Sequence, residues 1–445
     1  MRVCGWVCVS WLAAFSMACR SGSSSGPLDG GPDVSSVAQA PSSARSKGAL
    51  AWPSLPGTPE AARAVVDAYV VRKTNVSRPA SVSARDLLAP LGAAGLARVV
   101  SGEAAVRRAL LDRVSAGDGA NDGYLLVGVS HASGEPVVAF RRLVEGPGSY
   151  THVGLEPFAA DGHWSGLSDA EQRGSSALLA TYMTKGDAES LEALRVAHDT
   201  HDYAAWKLGY ANLVLDLVPP SRAGAYALVP LDMPPQLKTK LAALGDRLLD
   251  VRELHGFFAL REALSGPRPR ARVAMLWGDA HVGQAGIARF LPVGATVVSV
   301  HVLGLEGEPA RPSDKRDAGP PATTVLDPLL VPMPAGELAL VLPSPGADAA
   351  VDRVRRGDGD GRTTQLLVSG EPGAVVTVGE HVHTVVAKVE PLAVGPGDHT
   401  YVVERKGSRV VGALSLSPGE TCELRVDHAG LRIEHHLKRE DERAR

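Results

Sequence analysis

Tyr124-Leu125-Leu126-Val127-Gly128-Val129-Ser130-His131 is an apolar run that ends in Gly-x-x-His, and Val273-Ala274-Met275-Leu276-Trp277-Gly278-Asp279-Ala280-His281 repeats this arrangement. A continuous apolar run of this length is typical of a strand that is buried on both faces of a parallel sheet. The glycine after each run lets the backbone turn sharply and leaves space beside the turn. The pattern therefore predicts two buried strands, each presenting one imidazole, and one site that both imidazoles share.

Strands and helices alternate on either side of these two segments. Further apolar runs predict strands at residues 152–155, 225–230, 296–302 and 337–342. Helical patterns begin at Pro59 and after the capping sequence Ser168-Asp169-Ala170-Glu171, and others cover residues 103–114, 199–217 and 235–264, the last broken at Gly245. This alternation predicts an α/β domain over residues 49–345, with a central, largely parallel sheet flanked by helices and a Pro-rich loop at 306–321.

The pattern changes after this domain. Short alternating runs at residues 375–378, 384–388, 401–405, 413–416 and 423–426 are separated by turn residues, which predicts a small all-β sandwich over residues 365–427. Residues 357–361 have the sequence Gly-Asp-Gly-Asp-Gly, which lacks the later acidic ligand of a calcium loop and predicts a turn. Residues 434–445 are dense in both charges and predict a solvated tail that contains His435 and His436.

Composition excludes several classes of protein. The chain has 445 residues, of which 44% are hydrophobic, so it is long and apolar enough for a folded protein with more than one domain. Its net charge of −3 gives no basic field, and we expect no nucleic-acid partner. Three of the four cysteines, Cys4, Cys8 and Cys19, lie near the N-terminus, which excludes a disulfide framework and leaves Cys422 as a buried thiol.

The first 48 residues predict export. Arg2 is followed by a mostly apolar stretch too short to span a bilayer, then by Ser16-Met17-Ala18-Cys19 and a Ser/Gly/Pro-rich segment. Residues 1–19 resemble a bacterial lipoprotein signal, with Ser16 in place of the usual leucine, and residues 20–48 predict a flexible tether. We therefore predict lipidation of Cys19 and a place in the bacterial cell envelope, on the periplasmic or surface face of the outer membrane. A plain secretion signal and a cytoplasmic protein are the alternatives.

Polar groups follow four of the predicted strands, at His131, Glu156, Asp232 and His281. The carboxyl ends of parallel strands form the usual ligand site of an α/β sheet. Two histidines and one carboxylate are a standard ligand set for zinc, manganese, cobalt or iron, so His131, Glu156 and His281 are the candidate metal ligands. A bound metal would supply hydroxide near neutral pH.

Other polar residues are candidates for supporting roles in that site. Besides Glu156, the carboxylates of Asp279 and Glu135 are candidates for proton transfer. The candidates for substrate contact or for support of the ligands are Ser130, Asp232, Arg252 and Arg261. Ser130 as a nucleophile is a weaker alternative, because the sequence has no Gly-x-Ser-x-Gly elbow. A histidine at a strand end is also often only a structural hydrogen-bonding group, which is the alternative to a functional site.

The segment Gly128–His131, Glu156 and the segment Gly278–His281 together resemble the Tiki/TraB/ChaN/erythromycin-esterase superfamily, whose signature is two Gly-x-x-His motifs with a glutamate between them. The resemblance covers about residues 95–345. It implies one of three activities: metal-dependent proteolysis, lactone hydrolysis or haem binding. The run Gly286-Ile287-Ala288-Arg289-Phe290-Leu291-Pro292 and the lipoprotein signal favour the ChaN-like branch. Val129 departs from the Gly-Glu-x-His of the esterase and ChaN branches, so Glu156 or Glu135 would have to replace that glutamate.

Two Pro-Gly turns carry a second resemblance. Residues 371–378, 394–399 and 416–420 are similar to a PEGA-type β-domain, which implies an adaptor module of the envelope; a generic β-sandwich is the alternative.

Three functions remain open at this point. The first is an envelope-anchored, metal-dependent hydrolase of the peptidase or esterase type. The second is a haem- or iron-binding lipoprotein without turnover, in which an imidazole or one of Tyr124, Tyr150, Tyr182 and Tyr203 ligates iron. The third is an inactive module whose β-domain binds an envelope protein. The expected partners are accordingly the membrane, through the N-terminal lipid, and a small-molecule, peptide or haem ligand.

Overall fold

A computed structural model of the chain describes residues 58–72, 82–116, 121–130, 135–146, 148–159, 187–199, 205–265, 269–305, 322–344, 351–359, 364–386, 389–392, 394–405, 407–427 and 430–438. The predicted signal, tether, capping sequence at Ser168, Pro-rich loop and end of the charged tail lie outside the described residues, as does His131. In the part of the chain that is described, every helix is too short or too polar to cross a membrane.

An eight-stranded mixed sheet is the centre of the first part of the chain. Its eight strands are β1 (Val100–Ser101), β2 (Gly123–Val129), β3 (His152–Ala159), β4 (Ala227–Asp232), β5 (Arg272–Gly278), β6 (Thr296–Leu303), β8 (Leu329–Pro332) and β9 (Leu338–Val341). A further strand in this part of the chain, β7 (Ala322–Val325), belongs to another sheet. The order is β1-β8-β9-β6-β2-β5-β3-β4. The six strands from β9 to β4 are parallel, whereas β8 is antiparallel to both its neighbours. The predicted strands and the largely parallel sheet are confirmed.

Among the described residues, three helices precede β1, and six more lie between the strands of this part of the chain. They are α1 (Pro59–Tyr69), α2 (Ala84–Leu88), α3 (Ala93–Leu96), α4 (Glu103–Ser115), α5 (Glu135–Val144), α6 (Ala188–Asp199), α7 (Ala205–Arg222), α8 (Pro235–Leu241) and α9 (Leu248–Ala263). The break predicted at Gly245 is confirmed, because Gly245 has a φ of 55° between α8 and α9. The helix predicted at 199–217 corresponds to α7 with shifted ends.

Both faces of the sheet are covered, which explains why its strands are apolar throughout. Leu125 and Val127 point to one face and pack with the apolar residues of α4, α5 and α7. Leu126 and Trp277 point to the other face and pack with α1 and α9. Since successive side chains of a strand point to opposite faces, every side chain of a strand covered on both faces is buried and is therefore expected to be apolar.

A β-domain follows. Its strands are β10 (Val351–Gly359), β11 (Gln365–Gly370), β12 (Val375–Val378), β13 (His381–Thr384), β14 (Glu390–Leu392), β15 (Gly397–Arg405), β16 (Ser408–Leu416), β17 (Thr421–Val426) and β18 (Leu431–Lys438). They form two five-stranded sheets, β10-β18-β17-β11-β14 and β13-β12-β15-β16-β7. Leu366 and Leu424 of the first sheet share one core with Val376 and Tyr401 of the second. Cys422 is fully buried in this core, as expected.

Several predicted boundaries of the β-domain are wrong. β7 lies before residue 345, yet it pairs with β16 in the β-domain, and the chain then returns to the large sheet as β8 and β9. Residues 357–359 continue β10 instead of forming a turn, and residues 434–438 continue β18 instead of a solvated tail. The strand predicted at 384–388 is β13, which ends at Thr384 because Gly379, with a φ of 59°, places the hairpin turn earlier.

The exchange of strands joins the two domains. Val402 and Val411 of the β-domain pack with Leu88 and Leu96 from α2 and α3. Arg409, which is also buried, donates to the carbonyl oxygen of Leu91 at 2.8 Å. The large sheet is therefore braced on one side by the β-domain, while its carboxyl edge carries the candidate site.

Candidate functional site

Three of the predicted polar groups meet at the carboxyl edge of the sheet. Glu156 lies within β3, Asp232 ends β4, and His281 lies on a single 3₁₀ turn, Asp279–His281, that follows β5. All three are at most 5% exposed. Buried ionisable groups are costly unless they are paired, so the partners of these three define the site.

His281 is held between two carboxylates. Its Nδ1 lies 3.0 Å from Oε1 of Glu253, a fully buried residue on α9, and its Nε2 lies 3.4 Å from Oε1 of Glu156. The ring also packs against Trp277, with 5.0 Å between centroids. Burial lowers the pKa of His281, but the two carboxylates outweigh it and the net pKa is raised. The two carboxylates therefore favour the protonated imidazole of His281.

Glu156 accepts a hydrogen bond on each carboxylate oxygen. Arg252 of α9 donates to Oε1, and the backbone N–H of Gly278 donates to Oε2. A guanidinium and a backbone N–H both favour the ionised carboxylate. Glu156 is thus held in one orientation directly beside the imidazole of His281.

Asp232 extends the same network toward solvent. It accepts hydrogen bonds from Lys238, from Arg252 at 3.3 Å and from the backbone N–H of Met233 at 2.8 Å. Burial lowers the pKa of Lys238, against the opposing effect of Asp232. Burial also lowers the pKa of Arg252, but Glu156 and Asp232 together outweigh it, so that its net pKa is raised. Arg252 therefore links the carboxylates of Glu156 and Asp232.

Arg289 supports the network from the far side of His281. It donates to Glu253 at 2.7 Å and to Asp250 at 2.6 Å. The ionic groups around His281 are the carboxylates Glu156, Asp232, Asp250 and Glu253 and the cations Arg252, Lys238 and Arg289. Protonation of His281 balances the charges of this set, which agrees with its raised pKa.

Asp279 makes a contact that the sequence did not predict. Instead of facing His281, its carboxylate lies 2.6 Å from Nδ1 of His301, a buried residue of β6. The other ring nitrogen of His301 lies 3.0 Å from Glu337. Gly128 of the first motif makes this contact feasible, because a Cβ atom there would lie 2.7 Å from Oδ1 of Asp279. The two motifs thus interlock.

The remaining predicted site residues are placed as follows. Ser130 is exposed at the end of β2. Glu135 begins α5, but its side chain lies outside the described residues. Arg261 is nine residues from Arg252 along α9, a rise of about 13.5 Å, and it lines a groove of about 590 Å³ together with Asp122.

Sequence reasoning missed Glu253, Arg289, His301 and Glu337 as parts of these clusters. His301 lies inside a predicted strand, and Glu337 begins another. These residues could have been identified from the sequence by their polarity. An ionisable residue inside an otherwise apolar strand or helix destabilises the fold unless a polar partner contacts it. The identity of that partner depends on the strand order, which the sequence does not contain.

The predicted ligand set of His131, Glu156 and His281 is only partly described, because His131 lies outside the described residues. The one set of three close metal-ligating groups found among the described residues is Glu423, Glu434 and His436, on β17 and β18. Tyr150 is a poor source of tyrosinate, because burial raises the pKa of its hydroxyl. Tyr182 and Tyr203 lie outside the described residues.

No protein-family model, curated protein or solved structure matches this chain. The resemblance to the Tiki/TraB/ChaN/erythromycin-esterase superfamily therefore rests on the motif residues alone and stays a prediction.

Proposed function

We propose that this chain is a hydrolase of the peptidase or esterase type, with His281 and Glu156 as its acid–base pair. The observation that carries the proposal is their geometry: Nε2 of His281 and Oε1 of Glu156 are 3.4 Å apart, each with its other polar atoms already occupied. Two atoms at this separation can both reach one water molecule or one substrate atom. A buried acid and a buried base held side by side at the carboxyl edge of a parallel sheet are typical of catalysis.

The charges of the pair assign their roles. Glu156, which accepts hydrogen bonds from Arg252 and Gly278, takes a proton from water while the water oxygen bonds to the carbonyl carbon of an ester or peptide. His281 donates its proton to the departing oxygen or nitrogen as the C–O or C–N bond breaks. Transfer of the proton from Glu156 back to Nε2 restores both groups. Each proton transfer of this kind typically contributes about 10²- to 10⁴-fold to the rate.

Glu253 has a positioning role in this mechanism. Its carboxylate holds Nδ1 of His281, which directs Nε2 toward Glu156. Arg289 in turn fixes Glu253, so the imidazole is oriented by a carboxylate that cannot rotate away. This is the arrangement by which a buried carboxylate orients a catalytic imidazole.

The two predicted ligands that the structure describes, Glu156 and His281, are not arranged to bind a metal. Both Glu156 oxygens already accept hydrogen bonds, and the guanidinium of Arg252 places its positive charge beside Oε1, where it would repel a divalent cation. His131 lies outside the described residues. The proposed mechanism therefore uses only side chains of the protein, and the test below measures whether a metal is bound.

The test is a screen of the purified chain with chromogenic esters and a quenched-fluorescent peptide library. The variants are His281→Gln and Glu156→Gln, and the matched control is His399→Gln, a histidine of the β-domain whose ring contacts the carbonyl oxygen of Gly395. We expect loss of at least about 100-fold in kcat/KM in the first two and no change in the control. Circular dichroism checks that each variant is folded.

Activity that survives in both site variants would refute the acid–base assignment, and a wild-type chain inactive on both substrate classes would refute the hydrolase. Activity lost on chelation and restored by manganese, cobalt, zinc or iron would restore the metal mechanism. A Soret band on addition of haem, lost in His281→Gln, would favour the haem-binding alternative.

We further propose that the hydrolase is anchored to the envelope through Cys19, on the basis of Ser16-Met17-Ala18-Cys19. The test is expression in a Gram-negative host with labelled palmitate, comparing the wild type with Cys19→Ser. Label and sedimentation with membranes should both be lost in the variant. An unlabelled wild type would refute lipidation. Contact of the β-domain with an envelope protein is part of the same proposal, and crosslinking of the anchored chain would detect it.

A further inference from the structure

The turn that carries His281 is linked at both ends to the imidazole of His301, directly at one end and through Glu337 at the other. This turn, defined here as residues 279–284, follows β5 and includes the 3₁₀ turn Asp279–His281. Its first residue, Asp279, bonds His301, and its last residue, Gln284, donates its backbone N–H to Oε1 of Glu337 at 3.1 Å. Since the other oxygen of Glu337 contacts His301, the turn is closed into a ring of contacts.

The geometry sets the protonation of His301. Its Nδ1 lies 2.6 Å from a carboxylate oxygen of Asp279 and its Nε2 lies 3.0 Å from one of Glu337. An ionised carboxylate only accepts hydrogen bonds, so both ring nitrogens must carry a proton for both contacts to form. A neutral imidazole has one N–H and can keep only one of them.

The ionisable groups that shift His301 come from two elements packed against it. They are Asp279, from the turn after β5, and Glu337, from the segment before β9. Burial lowers the pKa of His301, but the hydrogen bonds to these two carboxylates outweigh it and raise the pKa to about 9. The bond to His301 is also the main reason that the pKa of Glu337 is lowered.

Two glycines leave space for this arrangement. A Cβ atom at Gly128 would lie 2.7 Å from Oδ1 of Asp279. A Cβ atom at Gly283 would lie 2.5 Å from Oε1 of Glu337, and Gly283 has a φ of 90°, which side-chain-bearing residues rarely adopt. Any larger residue at either position would push one carboxylate away from His301.

We propose that His301 is a positioning residue, whose imidazolium bridges Asp279 and Glu337 and so holds the turn that places His281 beside Glu156. The effect of this bridge, the contacts of His301 with Asp279 and Glu337, on catalysis rests on the proposed function of His281. The existence of the bridge does not depend on that function. His301 lies in the same row of the sheet as Gly128 and Trp277, two strands away from β5, so it anchors the turn to a part of the core that β5 does not contact directly.

The test measures the bridge without turnover. Long-range ¹H–¹⁵N spectra of the full chain report the protonation of the His301 ring, and amide hydrogen exchange reports the closure of the turn at Gln284. For the wild type we expect both His301 nitrogens protonated at neutral pH. In His301→Gln we expect exchange at Gln284 to accelerate by about tenfold or more, because local protection tracks the stability of the contacts that close it.

Two matched variants separate positioning from loss of stability. His435→Gln removes another buried histidine that contacts a carboxylate, Glu420, at 2.6 Å in the β-domain, and should leave Gln284 protected. Glu337→Gln retains an acceptor for Gln284 and offers an amide donor to a neutral His301. It should lower the pKa of His301 while keeping Gln284 protected.

A His301 ring that is neutral at pH 7 would overturn the proposal. Exchange at Gln284 that is unchanged in His301→Gln, or accelerated equally at amides throughout the chain, would also overturn it. None of these measurements needs a substrate, so they remain valid if the chain proves not to be a hydrolase. If the bridge is refuted instead, the acid–base pair is still tested by the His281→Gln and Glu156→Gln variants.

Discussion

Raising the pH should weaken the α/β domain through His301. The pKa of this residue is about 9 in the folded chain, against 6.5 for the free side chain. A difference of this size corresponds to about 3 kcal/mol of stabilisation. Asp279 is 36% exposed and partly screened by solvent, which reduces the expected contribution to about 2 kcal/mol.

The direction follows from the raised pKa. Below about pH 6.5, His301 is protonated in both the folded and the unfolded chain, so its stabilisation is fully present. As the pH rises, the unfolded chain loses its proton first, and the stabilisation falls until it is gone above about pH 9. The free energy of unfolding should therefore decrease across this window by the amount that His301 contributes.

The assay is urea unfolding followed by tryptophan fluorescence, to which the fully buried Trp277 contributes. Wild type and His301→Gln are compared at about pH 6 and about pH 9.5, so that titrations common to both cancel in the difference. We expect the wild type to lose about 2 kcal/mol more than the variant between the two pH values. Equal losses in the two proteins would refute the doubly bonded imidazolium.

Three further changes have definite expected results. Gly256→Ala places a Cβ atom 2.6 Å from ring carbons of Trp277, so it should cost about 1–3 kcal/mol, seen as a lower urea midpoint. Gly128→Ala places one 2.7 Å from a carboxylate oxygen of the turn after β5, so it should reduce kcat of the hydrolase more than it changes KM. Glu253→Gln removes the anion beside His281, so an NMR titration should show a lower pKa for that imidazole.

Gly395→Ala is the control for both glycine variants. A Cβ atom at Gly395 would meet nothing within 4 Å, so the change should stay within about 0.5 kcal/mol. If Gly395→Ala and Gly256→Ala lowered the free energy of unfolding equally, the contact of the added methyl group with the Trp277 indole would not explain the loss. An unchanged pKa of His281 in Glu253→Gln would contradict the electrostatic pairing, and an unchanged kcat in Gly128→Ala would contradict the link between the two motifs.

The sequence alone predicted the main parallel strands of the α/β domain. The apolar runs at residues 124–127 and 273–277 became β2 and β5, adjacent and parallel, because strands covered on both faces must be apolar along their whole length. Gly245 interrupts the helical pattern where a positive φ breaks the chain. The proximity of Glu156 and His281 was also predictable, since the carboxyl ends of neighbouring parallel strands meet at one edge.

The tertiary structure decided the partners and the sorting of strands. β7 precedes β8 and β9 in the chain but pairs with β16, about 85 residues later, which no local pattern indicates. His301 looked like an ordinary strand residue until β6 and the segment before β9 brought Asp279 and Glu337 to its two nitrogens. The local sequence specifies which residues can be buried. A buried charge also needs an oppositely charged or hydrogen-bonding partner, and only the long-range order of the strands brings that partner into contact.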